Sequence, residues 1–225
     1  MRHLTEQETA LLERIDEKGA VQFLRKLVNS DSQNPLGKER ETAEIIREKL
    51  EEIGLLTETQ EVEKGRFNVI GLLPGEKKEE LLWNGHMDTV SIGDPALWTK
   101  HPFGGEIEDG KLYGRGSCDM KAGLAAMIFA LEALAKSGVR RRRGILFTAV
   151  IDEEVNFKGT KALIEAGKLK NCVRACVSEP TSVCPASSLQ GAAEFTARFY
   201  GKAAHSGCRK TGATRLSPWL LLLRS

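Results

Sequence analysis

One histidine and several carboxylates in this sequence stand where they could bind metal ions, directly after apolar segments. His86 and Asp88 follow the apolar run at 81–83, Asp119 follows the glycine-rich turn at 114–116, and Glu179 follows the apolar run at 175–177. Imidazole nitrogen and carboxylate oxygen are ligands that divalent cations such as Zn²⁺ accept. One imidazole and several carboxylates at strand ends therefore predict a two-metal hydrolytic centre.

An acidic triplet strengthens this interpretation. Asp152, Glu153 and Glu154 directly follow the apolar run at 144–151. Like charges at the end of a buried strand repel one another unless a cation neutralises them or one of them is protonated. A glutamate beside a metal ion is also a natural general base for water. Any one carboxylate could lie on the surface, but four strand ends that each offer a ligand are hard to attribute to chance.

Each motif also has a simpler interpretation when it is taken alone. In extended chain His86 and Asp88 point the same way, so that Asp88 could hold the second imidazole nitrogen, but a purely structural histidine is the alternative. Asp119 precedes a helical segment and could be its cap. His205 lies among small residues and could be an exposed turn histidine, and Cys118 could be a reactive or ligating thiol.

The elements that must position these residues follow from hydrophobic periodicity. Helical spacing predicts helices over 5–29, with an interruption at Gly19, and over 38–53, 120–136 and 160–167. Apolar and alternating runs predict strands at 57–63, 67–73, from Leu81, at 144–151 and at 174–177, and Asp109-Gly110 predicts a hairpin over 107–113. Strands that alternate with helices indicate an α/β sandwich. From about residue 187 the pattern changes and suggests a second unit.

Composition excludes several classes of function. The chain has 225 residues and a net charge of +2, so it offers no electrostatic case for nucleic acid or an anionic membrane. The basic run at 140–143 is interpreted as a solvated turn, with a phosphate or lipid patch as the alternative. No segment is apolar and long enough for a signal core or a membrane span. Five cysteines without CxxC spacing predict reduced, mostly buried thiols in a cytoplasmic protein.

Five motifs, in their order and spacing, resemble those of a known family. They are GHMDTV, YGRGSCDMKAG, DEE, SEP and GKAAHSG. They are similar to the metal-dependent amidohydrolase and peptidase family of acetylornithine deacetylase, succinyl-diaminopimelate desuccinylase, glutamate carboxypeptidase and aminoacylase, from about residue 10 to residue 207. The resemblance implies a zinc-exopeptidase-like three-layer sandwich with a mixed, mostly parallel sheet over 1–186. It also implies the start of an α+β lid and dimerisation domain over 187–225.

The resemblance implies a ligand set for two divalent metal ions, zinc or alternatively cobalt. His86 and Glu179 would bind one ion, Asp119 would bridge both, and Glu154 would bind the second.

The resemblance also assigns catalytic roles. Glu153 would be the general base, and Asp88 would support His86. His205 matches a lid histidine that reaches the active site of a partner subunit in the family and polarises the substrate carbonyl.

The implied activity is hydrolysis of the amide bond of an N-acyl amino acid, with a carboxypeptidase or dipeptidase of the same family as the alternative. The family pattern continues beyond the point where this sequence stops, and the tail at 208–225 does not match it. A second hypothesis is therefore an inactive truncated fragment that retains partial metal binding, and an incomplete lid argues against the homodimer of the family.

Overall fold

The computed structural model describes residues 3–181 together with Cys184 and Ala186. The α-helices of this part are α1 (Glu6–Leu12), α2 (Glu17–Asn29), α3 (Arg40–Glu52), α4 (Lys121–Lys136) and α5 (Lys158–Glu165). The strands are β1 (Leu56–Glu63), β2 (Arg66–Leu73), β3 (Glu80–His86), β4 (Glu106–Glu108), β5 (Lys111–Tyr113), β6 (Gly144–Val150) and β7 (Cys172–Val177). A short 3₁₀ helix spans Pro95–Leu97.

Five strands form one mixed sheet in the order β1-β2-β6-β3-β7. Strand β2 is antiparallel to both β1 and β6, whereas β3 is parallel to both β6 and β7. All strands of this sheet except β2 therefore run in one direction, which agrees with the predicted mixed, mostly parallel sheet. The carboxyl ends of β3, β6 and β7 consequently meet at one edge of the sheet, where ligand sites of open α/β sheets lie.

Helices cover both faces of this sheet. Leu50 of α3, Leu124 of α4 and Phe147 of β6 belong to the main apolar cluster on one face. On the other face Leu163 of α5 packs in a smaller cluster with Leu146, the neighbour of Phe147 in β6. Successive residues of a strand point to opposite faces, and burial of each such side chain contributes about 1.5–3 kcal/mol. The predicted three-layer α/β sandwich is confirmed.

The break near the amino terminus differs from the prediction. Gly19 lies inside the first turn of α2, and the chain is interrupted earlier, at residues 13–16. The physical reason is a cap, because the carboxylate of Asp16 accepts a hydrogen bond from the main-chain N–H of Gly19 at 2.9 Å. The prediction that Gly19 interrupts the helix was therefore wrong.

The predicted hairpin is present as β4 and β5. Asp109 and Gly110 have φ values of 50° and 73°, as a tight two-residue turn requires. The basic run also lies in a turn, before β6. Arg140 and Arg143 donate to the carboxylates of Glu76 and Glu79 at 2.7 and 2.8 Å, which agrees with the predicted surface turn.

The predicted burial of the cysteines was wrong for the described residues. Cys118, Cys176 and Cys184 are exposed, Cys172 is half-buried, and these thiols are free. Among the described strands β7 is an exposed edge strand, which is why its apolar run does not bury Cys176. None of the helices in the described residues combines the length and apolar character that a membrane crossing requires. The predicted second unit over 187–225 and its tail lie outside the described residues.

Candidate metal centre

The fold brings the ends of three neighbouring strands to one place. Strand β3 ends at His86, β6 ends two residues before the acidic triplet, and β7 ends two residues before Glu179. Asp119 comes from another element, the loop that leads into α4. The sequence-predicted residues of the described part thus converge on the carboxyl edge of the parallel strands.

The imidazole of His86 is the centre of this cluster. The side chain is 2% exposed, and its Nε2 atom lies 3.2 Å from Asp119 Oδ1 and 3.7 Å from Glu179 Oε1. Glu153 Oε2 lies 3.8 Å from the same nitrogen. The ligand atoms of His86, Asp119 and Glu179 all lie within 4.8 Å of one another. Three of the four predicted metal ligands are therefore brought together.

The second imidazole nitrogen is held by main chain. His86 Nδ1 lies 2.9 Å from the carbonyl oxygen of Asp88, whereas the nearest carboxylate oxygen of Asp88 is 3.6 Å away. A carbonyl oxygen only accepts, so Nδ1 carries the hydrogen, and in the neutral ring the lone pair of Nε2 faces the carboxylates. The expected contact through the carboxylate is thus replaced by one through the carbonyl of the same residue.

The carboxylate of Asp88 has a different task. Its two oxygens accept hydrogen bonds from the main-chain N–H groups of Glu153 and Glu154, each at 3.1 Å. Asp88 is completely buried, and these donors help to offset the cost of burying its charge. Asp88 therefore connects the loop after β3 to the turn after β6.

Asp119 does not serve as a helix cap. The N-cap of α4 is Met120, without a side-chain capping bond, and the side chain of Asp119 is 54% exposed. The alternative interpretation of this aspartate as a capping residue is therefore not the one that the structure adopts. Its carboxylate is directed at His86 instead.

One predicted ligand, Glu154, is not part of this three-residue cluster, and one predicted catalytic residue is not described. Glu154 contributes its main-chain N–H to Asp88, but its carboxylate is not among the three grouped ligands of the described part. His205 lies outside the described residues. The ligand set for a second metal ion and the role of the lid histidine therefore stay predictions.

Burial, aided by neighbouring negative charge, raises the pKa values of the acids. Burial raises the pKa of Glu179 to about 7, with further increases from the charges of Asp119 and Glu153 that the positive charge of His86 only partly offsets. Burial also raises the pKa of Glu153 and of Glu154. A divalent cation in the cluster would stabilise the ionised forms of these carboxylates.

The neighbouring carboxylates also raise the pKa of His86, and in this residue they stabilise the charged form. Burial lowers its pKa, but hydrogen bonding to Asp88 and the charges of Asp88, Glu179 and Glu153 outweigh burial and raise the pKa to about 9. In the absence of metal the protonated imidazole is therefore the cation that the carboxylates surround. One imidazole and two carboxylates at these distances are a donor set that fits zinc.

Sequence reasoning missed a fully buried lysine beside the centre. Lys121 Nζ donates to the carbonyl oxygens of Leu27 and Ser30 at 2.7 and 2.8 Å, which joins the first turn of α4 to the end of α2. Burial lowers its pKa to about 7. The available signal was a single lysine at the start of a helix that is otherwise almost entirely apolar.

Two further buried residues were also missed. Asn34 donates its side-chain amide to the carboxylates of Asp88 and Asp152. Asp152 was identified as part of the acidic triplet but received no role. No sequence signal connects Asn34 to either aspartate.

Comparison with protein families gives a match to a family of peptidases. Residues 82–193 match the model of peptidase family M20/M25/M40. Among curated relatives, a probable succinyl-diaminopimelate desuccinylase of Staphylococcus epidermidis is 31% identical over 198 residues, which cover 88% of this chain and 48% of the relative. The chain thus spans about half the length of the curated relatives that it matches.

Solved structures share the fold. Human carnosine dipeptidase 1 is 20% identical with a TM-score of 0.68, over 76% of this chain and 41% of that chain. An M20 family metallo-carboxypeptidase of Sulfolobus solfataricus is 23% identical with a TM-score of 0.61, over 78% of this chain and 37% of that chain.

Proposed function

Because this chain belongs to peptidase family M20/M25/M40, whose members are metal-dependent amidohydrolases and peptidases, we propose that its strand-end cluster belongs to a two-metal site for amide hydrolysis. The observation that carries this proposal is the convergence of His86, Asp119 and Glu179 within 4.8 Å. These side chains come from separate parts of the chain, and helix capping does not explain the position of Asp119, because it caps no helix.

The proposed metal ions are zinc, with cobalt as a spectroscopic substitute. His86 and Glu179 would hold one ion, Asp119 would be shared, and Glu154 would hold the second. The donor set supports zinc, since nitrogen and carboxylate oxygen are both ligands of this ion. When bound, such a metal pair lowers the pKa of water and polarises the scissile carbonyl.

Glu153 is proposed as the general base. Its carboxylate lies 3.8 Å from His86 Nε2, at the border of the cluster, and burial raises its pKa. A carboxylate whose pKa is shifted towards the working pH is better suited to accept a proton and return it. Glu153 would accept a proton from the attacking water and donate it to the leaving amine. His205 of a partner subunit is proposed to polarise the carbonyl, on the basis of the GKAAHSG motif.

The proposed substrate is an N-acyl amino acid. This choice follows the curated relative at 31% identity, which is named as a probable succinyl-diaminopimelate desuccinylase. A short peptide presents the same amide bond, so peptidase activity is the alternative outcome of the assay.

The test loads the purified chain with zinc and measures amine release from N-succinyl and N-acetyl amino acids and from dipeptides. We expect turnover of the acylated amino acids and its loss in Glu153→Gln. Glu165→Gln makes the same change at an exposed position of α5 and should remain active. Faster cleavage of dipeptides would assign peptidase activity instead. Stoichiometric zinc without any turnover would favour the inactive fragment, and failure to bind zinc would refute the metal site.

A further inference from the structure

Asn34 lies on the loop between α2 and α3 and is held beside the strand that ends at His86. Its main-chain N–H donates to the carbonyl of Thr89 at 2.8 Å, and the N–H of Thr89 donates to the carbonyl of Ser32 at 3.0 Å. Lys121 fixes the start of the same loop through the carbonyl of Ser30. The loop is thereby joined to the segment that follows His86 and to the segment that follows Asp119.

The side-chain amide of Asn34 bridges two buried carboxylates. Its nitrogen donates to Asp88 Oδ2 at 2.9 Å and to Asp152 Oδ1 at 2.8 Å. Asn34, Asp88 and Asp152 are 4%, 0% and 1% exposed. An amide nitrogen carries two hydrogens, so both are used.

Asp152 depends on this amide. Its second carboxylate oxygen has no partner among the described residues, and Arg66 Nη2 lies 3.7 Å from the first, which is beyond hydrogen-bond distance. Asn34 is therefore the one hydrogen-bond donor to this carboxylate within the described part of the chain. Asp152 also has a left-handed φ of 61°, a conformation that surrounding contacts must maintain.

The two aspartates hold the turn that carries Glu153 and Glu154, Asp88 through its carboxylate and Asp152 through its main-chain carbonyl. Asp152 begins this turn, and its carbonyl accepts hydrogen bonds from the N–H groups of Asn156 and Phe157. Asp88 accepts the N–H groups of Glu153 and Glu154. The backbone at both glutamates is therefore fixed by residues that Asn34 connects.

We propose that Asn34 is a positioning residue of the metal centre, which sets the turn of Glu153 and Glu154 by joining Asp88 to Asp152. This inference rests on the proposed function, because it assigns Asn34 a role in orienting the proposed ligands and base. A neutral amide suits this place for two reasons. A carboxylate there would add a third negative charge, and an apolar side chain would leave both aspartates without this donor.

The test replaces Asn34 with leucine, which has a similar size and no donor. Asn68→Leu is the matched control, because Asn68 is also fully buried and its amide nitrogen also donates twice, to Gln60 at 3.0 Å and to the carbonyl of Gly159 at 2.9 Å. Both variants lose two donated hydrogen bonds, and Asn68→Leu also loses the bond that Asn68 Oδ1 accepts from the N–H of Ile151 at 3.1 Å. The control therefore disturbs the core at least as much, but no hydrogen bond of Asn68 reaches a carboxylate of the site. Thermal unfolding without metal verifies that each variant is folded.

Zinc affinity, measured by competition with a chelator, is the first readout, and the absorption spectrum of the cobalt-loaded protein is the second. We expect Asn34→Leu to weaken zinc binding by about 10–100-fold and to alter the cobalt spectrum, whereas Asn68→Leu leaves both as in the wild type. Asn34→Ser keeps one short donor and should lose less zinc affinity than Asn34→Leu. If Asn34→Leu does not fold, the zinc affinity and the cobalt spectrum of Asn34→Ser test the proposal instead.

The possible failures are distinguishable. If the wild-type chain binds no zinc, the proposed function fails whatever the Asn34 variants do. If the wild type binds zinc and folded Asn34 variants match it in both affinity and cobalt spectrum, the metal site stands and the positioning role of Asn34 is refuted. An equal loss in Asn68→Leu would also refute it, since that result would show a general effect of destabilising the core.

Discussion

Zinc binding to the metal-free protein should release a countable number of protons. The imidazole of His86 must be neutral to bind a metal through Nε2. In the metal-free protein its pKa is raised to about 9, because hydrogen bonding to Asp88 and the nearby carboxylates outweigh the effect of burial. Zinc added near neutral pH must therefore displace the proton that the carboxylates now stabilise.

The number of protons follows from the pKa values of two groups. Near pH 7 almost every His86 is protonated, and Glu179, whose pKa burial raises to about 7, is about half protonated. Binding to both should release between about one and about 1.5 protons, and the contribution of these two groups should approach zero near pH 10. Near pH 7 zinc must displace the His86 proton. The apparent zinc affinity should therefore be about 100-fold weaker there than near pH 10, which corresponds to about 3 kcal/mol of binding free energy.

Titration calorimetry measures this release directly. Zinc is titrated in buffers of different ionisation enthalpy at each pH, and the slope of the observed enthalpy against the buffer value gives the proton count. His86→Gln should remove the larger part of the release, and His101→Gln, a change at an exposed histidine outside the cluster, should preserve it. Zinc binding without net proton release near pH 7, or a release that stays constant up to pH 10, would refute the assignment of His86 as a ligand.

The pH dependence of folding stability offers a separate measurement, but only as a difference between variants. The raised pKa of His86 contributes stability that is fully present below about 6.5 and is lost as the pH rises through about 9. Burial lowers the pKa of Lys121 to about 7. The loss of stability from burying this charged group is therefore fully present below about pH 7 and disappears as the pH rises towards 10.5. Because the two trends oppose each other, the wild type must be compared with His86→Gln at each pH.

Three further substitutions test the site and its surroundings. Glu153→Gln should lower the rate of amide hydrolysis by about 10²–10⁴-fold while zinc content stays at the wild-type level, which metal analysis and the amine-release assay check together. Gly123→Ala would place a Cβ 2.2 Å from the carbonyl oxygen of Ser178, so we expect displacement of the segment that carries Glu179 and weaker zinc binding in the chelator competition. Lys121→Met leaves two buried carbonyls without their donor and should lower the free energy of unfolding at pH 9 by about 1–3 kcal/mol for each, as urea denaturation would show.

The elements of the fold were largely predictable because their signals are local. Helix α3 lies within the predicted span, and the turn at Asp109-Gly110 joins the predicted hairpin. Apolar runs also located the strands whose ends carry His86 and Glu179. Parallel strands place their carboxyl ends at one edge, so a prediction of strands already implied that their terminal residues would meet.

Other features were not predictable because they depend on pairing between distant segments. Periodicity shows that a segment is a strand but not which strand lies beside it, and β6 inserts between β2 and β3 although it follows both in sequence. The exposure of Cys176 has the same origin, since an apolar run is buried only if its strand is covered, and β7 lies at the edge. The helix break before α2 was missed because Gly19 is the more obvious helix-breaking residue, whereas the cap is Asp16.

The identity and the orientation of the proposed ligands are therefore encoded differently in this chain. The identity of the proposed ligands follows from residues that stand next to their own strand, as His86 and Glu179 do. Orientation depends on contacts such as those of Asn34 with Asp88 and Asp152, which lie 54 and 118 residues away in sequence. If this division is correct, replacing Glu153 should abolish hydrolysis without loss of metal, whereas replacing Asn34 should weaken the metal site although Asn34 is not itself a proposed ligand.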